Sequence, residues 1–203
     1  MKGTALPARR RRTESEEVRR EQLLTAARKV FQAKGYNAAT IADIVREAGV
    51  AQGTFYLYYS SKNAIAVALR DRLMSKMATA VGEAIHLATS FDEKLGSLVT
   101  ASFQVARENA DLYKPAFIGA DEAHPEMHSE SAEHDAFLHI TTDLFMHANS
   151  AGDMKALDPE ITARLALGLL QHAIIEAFVF GDGNEAERLE KGVREFLANA
   201  LVR

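Results

Sequence analysis

Cysteine is absent from this chain of 203 residues. Disulfides and thiolate metal sites are therefore excluded, and a reducing compartment is permitted without being demanded. No early apolar run resembles a signal peptide, and no stretch is read as a membrane span, so the default expectation is a cytoplasmic protein without a membrane partner. Strand-type alternation is missing, as are internal repeats and low-complexity tracts. Nor does a nucleophile with its base, a phosphate loop or a catalytic pair emerge. The sequence is not read as that of an enzyme, with no catalytic residue and no cofactor expected. What is present, 47% hydrophobic and 26% charged residues, suits one or two soluble domains with a sizeable core.

The overall charge of -4 conceals a division along the chain. Residues 1–62 carry 12 Lys or Arg against 6 Asp or Glu, whereas residues 63–203 carry 12 against 22. A basic beginning joined to an acidic remainder fits a molecule that turns one end towards phosphate. Pro7 and the run Arg9 to Arg12 predict a disordered basic arm over 1–14, placed to follow phosphates or enter a minor groove. The first helix is expected to start around Thr13 to Glu17, with Glu16 in capping position.

The most informative stretch follows. Thr40 precedes Ile41, Ile44, Val45 and Ala48 at helical spacing, and Asp43 completes a box-like cap, so the pattern predicts a helix over 41–48. Gly49 supplies backbone freedom for a tight reversal, and Val50 offers an apolar plug, as a helix-turn-helix unit requires. The next helix, about 52 to 58, must be short because Ser60-Ser61-Lys62 caps another. Two turns of helix hold poorly in water, so packing must hold this one, with Phe55 as the inward anchor.

Leu24-Thr25-Ala26-Ala27, Phe31, Gly35-Tyr36, Thr40, Ile44-Val45, Ala48-Gly49-Val50, Gly53-Thr54-Phe55-Tyr56, Tyr58-Tyr59 and Ser61-Lys62 share one ungapped register. Together they resemble the amino-terminal signature of the tetracycline-repressor-like (TetR) family. The resemblance implies an all-α, homodimeric transcriptional regulator, most often a repressor, whose carboxy-terminal domain binds a small-molecule effector and thereby releases operator DNA. The domains expected are the arm over 1–14, a three-helix DNA-binding domain over 15–62 and a helical effector-binding and dimerisation domain over 63–203. Ala51 stands where the family often has Ser, which removes a cap worth about 1 kcal/mol. Phe55 and Tyr59 replace the commoner Leu and Phe while keeping an apolar body.

Chemistry and the family pattern together suggest the DNA-facing residues. Thr40 and Lys62 begin helices, where hydroxyl, cation and free N–H groups can grip phosphate of the double-stranded operator. Gln52 and Thr54, with Gly53 between them, are the candidates for reading base edges. Tyr56 and Tyr58 reach phosphate through their hydroxyls, and Tyr59 braces the bundle.

Beyond residue 62 the periodicity predicts helices over about 61–86, 90–109, 111–118, 125–148 and 158–180, and a last one capped by Asn184 with Glu187. From Ile161 to Phe180 apolar residues occupy nearly every face, and Leu189, Val193, Phe196, Leu197 and Leu201 make the last helix amphipathic. A second copy of the same helix pair is the expected cover, giving a homodimer. In the middle region Phe103, Tyr113, Phe117, Met127, His134 and Phe137 are candidate effector-pocket residues.

Four of the seven histidines, His124, His128, His134 and His139, fall among acidic residues. They raise the alternative of a helical metal-binding protein or metalloenzyme using the cluster around 124–139. Helical geometry argues against it. His128, Asp135, His139 and Asp143 form one stripe opposite Phe137, Ile140, Leu144 and Ala148, so that stripe faces water, and no metal ligand is assigned.

Overall fold

A computed structural model describes the backbone of residues 8–112 and 132–203 and the side chains of residues 16–112 and 136–203. The elements are α1 (Ala8–Ala38), α2 (Ile41–Ala48), α3 (Gln52–Tyr56), α4 (Lys62–Leu87), α5 (Phe91–Glu108), α6 (Ala132–Ala151), α7 (Pro159–Ile175) and α8 (Ala186–Leu201). Among the described residues no strand occurs, only an isolated bridge between Met154 and Val202. Two compact units result, one ending at Leu69 and the other starting at Arg70. The division falls inside α4, past the boundary expected after residue 62, because the first turns of α4 bury Ile65, Ala66 and Leu69.

The amino-terminal unit is built on one stripe of α1. Leu23, Ala26, Ala27, Val30 and Phe31 are buried, the spacing of a single helix face. Ile44, Val45 and Ala48 of α2 close the other side. Gln22 crosses from α1 to donate its amide to the carbonyl of Ala48 at 2.5 Å, and Lys29 meets Glu47 at 3.0 Å. Helix α1 begins at Ala8, ahead of the start expected around Thr13 to Glu17. Arginine and alanine are good helix formers, which offsets crowding of like charge. Gly35, at φ 75°, interrupts α1 before its last residues.

In the second unit α5 packs on α8, α6 on α7, and α7 on α8. Phe103, Phe145, Leu95, Leu98 and Leu170 fill its interior. Thr100 donates to Glu190 at 2.9 Å and Arg107 pairs with the same carboxylate at 3.6 Å, fixing α5 against α8. Asp158 accepts from the Ile161 N–H at 2.9 Å, with Pro159 in the first turn of α7. Two expectations need correction here. The run to Phe180 is not one regular helix: α7 gives way to a π-helical turn over Glu176–Phe180. Asn184 does not cap α8, because its amide is held by Asp182 at 2.7 Å in a local turn, and Glu185 at the cap position pairs with Arg188 at 3.0 Å instead of bonding a backbone N–H of the first turn.

Pro159–Phe180 also corrects the reading that no stretch reaches a membrane span. Its 22 residues are long and apolar enough by length and composition alone, as the core helix of a folded domain also can be. One face of this helix is packed on its neighbours, and the other exposes Ile161 and Leu165 around an Arg164–Glu160 ion pair.

The start of α5 yields a test. Glu93 accepts from the Thr89 hydroxyl at 2.6 Å and from the N–H groups of Thr89 and Ser90 at 2.9 and 3.1 Å, while the Ser90 hydroxyl accepts from the Glu93 N–H at 3.2 Å. The Thr89 hydroxyl foremost, then the backbone N–H of Ser90, holds the Glu93 carboxyl at about 2, below its ordinary 4.5. The folded chain thus binds this proton less readily than the unfolded chain. The contribution is present above pH 4.5 and lost as the pH falls towards 2. Glu93→Gln is expected to melt below the parent at pH 7 and to approach it near pH 2, in thermal unfolding followed by circular dichroism. An equal gap at both pH values would refute the assignment to ionisation.

Candidate nucleic-acid interface

The turn that presents α3 is fixed locally before anything packs on it. The Thr40 hydroxyl accepts from the Asp43 N–H at 3.1 Å, and the Asp43 carboxylate accepts from the Thr40 N–H at 3.2 Å. This is the reciprocal cap expected for α2. Lys34 stands 2.7 Å from Asp43 and Arg46 3.2 Å, so two cations flank one anion. Lys34, then Thr40, holds the Asp43 carboxyl well below the usual carboxylate range. Gly49 follows at φ 65°, a left-handed conformation that L side chains adopt with strain, and the Val50 N–H reaches back to the Val45 carbonyl at 3.0 Å.

Helix α3 runs only from Gln52 to Tyr56, shorter than the expected 52–58. Ala51 gives it no side-chain cap, as the sequence implied. Tertiary contacts hold it in place. Phe55 is wholly buried, its ring 5.5 Å from Tyr56 and 5.9 Å from the buried Tyr59. Arg20 of α1 lies 5.6 Å from the Tyr58 ring and 6.0 Å from that of Tyr59, a pair of cation–π approaches.

The burial of Phe55 turns the rest of α3 outwards. Gln52, Gly53 and Tyr56 are exposed, and Thr54 and Tyr58 are half-buried. Thr40 is exposed at the start of α2, with its hydroxyl engaged by Asp43 at 2.8 Å. Lys62 differs from the expectation of a cation standing open to phosphate. Its ammonium donates to the carbonyls of Tyr36 at 2.7 Å, Ala39 at 3.0 Å and Asn37 at 3.4 Å, and lies 4.4 Å from the Tyr36 ring. Burial pulls the Lys62 ammonium below its ordinary pKa and pushes the Tyr36 phenol up. A lysine whose three N–H donors are spent on carbonyls is a clamp for the segment after α1. Leu57, absent from the expected set, is the most exposed large apolar residue among the described residues of this unit.

Residues 23–69 match the family profile of bacterial regulatory proteins, tetR family. The chain is 26% identical over 182 residues to an uncharacterized HTH-type transcriptional regulator, YvdT, of Bacillus subtilis, covering 89% of this chain and 94% of that protein. The chain belongs to the TetR family. As a TetR-family protein it is a DNA-binding transcriptional regulator of the helix-turn-helix kind, in a family of regulators and not of enzymes. It is 22% identical to the fatty acid metabolism regulator protein of Bacillus subtilis, over 89% of this chain and 94% of that one. The crystal structure of FadR from Bacillus subtilis in complex with stearoyl-CoA has the same fold, with TM-score 0.77 and 22% identity, covering 87% of this chain and 96% of that one.

The effector-pocket candidates are only partly described. Phe103 is wholly buried against the Phe178 ring at 6.4 Å, and Phe137 is half-buried. Tyr113, Phe117 and Met127, with His124 and His128, lie outside the described residues, as does the side chain of His134. His139 is exposed, and among the described residues no three His, Asp or Glu side chains gather as a metal site. The metal-binding alternative gains no support from the relatives.

Proposed function

We propose that this TetR-family regulator is a cytoplasmic, homodimeric repressor that leaves its operator when a small-molecule effector occupies the helical domain from about residue 63 onwards. The observation that carries the DNA-binding half is the outward face of α3, held by a fully buried Phe55. Gln52, Gly53 and Thr54 read bases in this proposal; Thr40, Tyr56 and Tyr58 serve phosphate, and Lys62 acts by fixing the adjoining segment.

Dimerisation is supported by the α7 and α8 faces left open in the single chain. Ile161, Leu165 and Phe196 are exposed large apolar side chains, and a Cβ added at Gly168 or Gly192 would meet nothing within 4 Å. Two such helix pairs across a two-fold axis would cover one another and set the spacing of two reading helices. The apolar candidates Phe103, Tyr113, Phe117, Met127 and Phe137, with His134, suit an effector with a long hydrocarbon portion. Likeness to a fatty acid metabolism regulator and to a stearoyl-CoA complex makes long-chain acyl-CoA the first class to try.

The test is a titration of purified protein against the DNA upstream of its own gene at modest ionic strength, then addition of stearoyl-CoA to the complex. Retardation of that DNA and its release by the acyl-CoA, with free coenzyme A inert, are expected. Protein that ignores the DNA defeats the regulator reading, and a complex indifferent to stearoyl-CoA defeats the effector class alone. Linkage requires the converse as well: operator DNA must weaken acyl-CoA binding by the same factor.

A further inference from the structure

The direction in which α3 points assigns a reading role to a residue outside the family-based set. Successive helical residues turn by about 100°, so with Phe55 facing inwards, Gly53 and Leu57 flank the diametrically opposite direction. Gln52 lies about 60° from Phe55 on this wheel, at the flank, and owes its exposure to its place in the first turn. Exposure agrees with this wheel. Phe55 is 0% exposed and Leu57 78%, although Leu57 keeps a right-handed helical backbone at φ -73° and ψ -22°. Whatever groove receives α3 meets Gly53 and Leu57 first.

These two side chains have complementary shapes. A Cβ added at Gly53 would meet nothing within 4 Å in the folded chain. The fold itself therefore makes no steric demand for glycine there, and a methyl group added at Gly53 would project into open space. Leu57 next to it is a four-carbon apolar prong with no hydrogen-bonding atom. In the major groove the complementary feature is the C5 methyl of a pyrimidine, which thymine carries and the other unmodified bases lack.

We infer that Leu57 is a specificity-determining residue of this chain that reads a thymine methyl in each operator half-site, with Gly53 permitting the approach. The inference rests on the DNA-binding reading proposed above. Gly53 sets depth, Leu57 selects the methyl, and Gln52 reads from the flank.

The test begins with selection of a consensus duplex from a random synthetic library by the full chain; such DNA holds no methylcytosine, so any C5 methyl is thymine's. Each thymine of the consensus half-site is then replaced singly by deoxyuridine, which deletes only that methyl, and affinities are compared at fixed salt. For the parent chain, one or two positions should lose about fourfold in affinity, the worth of burying one methyl-sized group. Leu57→Ala should fold as the parent does, bind the consensus more weakly and show no loss at those positions. Gly53→Ala should melt no lower than the parent yet lose at least about fivefold in affinity, within the range of a mismatched contact. Uniform indifference of the parent to deoxyuridine, or undiminished sensitivity in Leu57→Ala, overturns the inference while leaving sequence-specific binding intact. Failure to select any sequence overturns the underlying DNA-binding reading too.

Discussion

Replacing Phe55 by alanine is expected to cost about 3–5 kcal/mol and to abolish operator binding, although the side chain never reaches the surface. Phe55 is wholly buried, and its ring meets Tyr56 and Tyr59. The five-residue α3 has no side-chain cap at Ala51, and two turns or fewer do not persist unaided. Once that anchor is lost, the cavity penalty falls on the element that presents Gln52, Gly53 and Thr54. Stabilities of folded domains are about 5–15 kcal/mol, so a large share of the margin of this unit is at stake. Phe55→Leu, which restores the residue more usual in the family, is expected to cost under about 1.5 kcal/mol and retain binding. The chain has no tryptophan, and four of its five tyrosines lie before residue 60, so tyrosine emission during denaturation reports on this unit. Equal denaturation midpoints for the alanine variant and the parent would show that α3 is held by something else.

Leu165→Glu should produce the second large effect, with the opposite signature: assembly lost and the single chain untouched. Leu165 is 70% exposed on α7, one turn from the exposed Ile161. A substitution on an open surface changes monomer stability by about 0.5 kcal/mol or less. At a two-fold interface the same change buries two unpaired carboxylates, each costing several kcal/mol. Sedimentation velocity at micromolar protein should then find monomer, against the dimer that the proposed function expects of the parent. Operator affinity should fall at least about a hundredfold, because the second half-site is no longer delivered at high effective concentration. A variant that still sediments as a dimer would move the interface to another face.

Features specified within a few consecutive residues were legible in the sequence. The Thr40–Asp43 cap and the Gly49 reversal needed no knowledge of distant neighbours, nor did the beginning of α5 near Ser90 or the opening of α7 at Asp158-Pro159. The inward direction of Phe55 and Tyr59 followed from size and apolarity. Features set by competition between partners were not legible. Lys62 was expected to meet phosphate because it begins a helix, but three carbonyls of residues 36–39 lie closer to hand. Asn184 has the chemistry of a cap, yet Asp182, two residues earlier, takes its amide. Leu57 is apolar and so reads as core in the sequence, and only the direction of Phe55 shows that it faces the other way. The long apolar run before Gly181 reads as helix, but its change to a π-helical turn over Glu176–Phe180 has no local signal.

The two reciprocal caps, at Thr40 with Asp43 and at Ser90 with Glu93, also bear on how the chain acquires its shape. Each supplies an initiation signal confined to four residues, in a process where the first turn is the expensive step. Helices α2 and α5 therefore carry their own starting points, one in each unit, and neither must await a remote contact to learn where it begins.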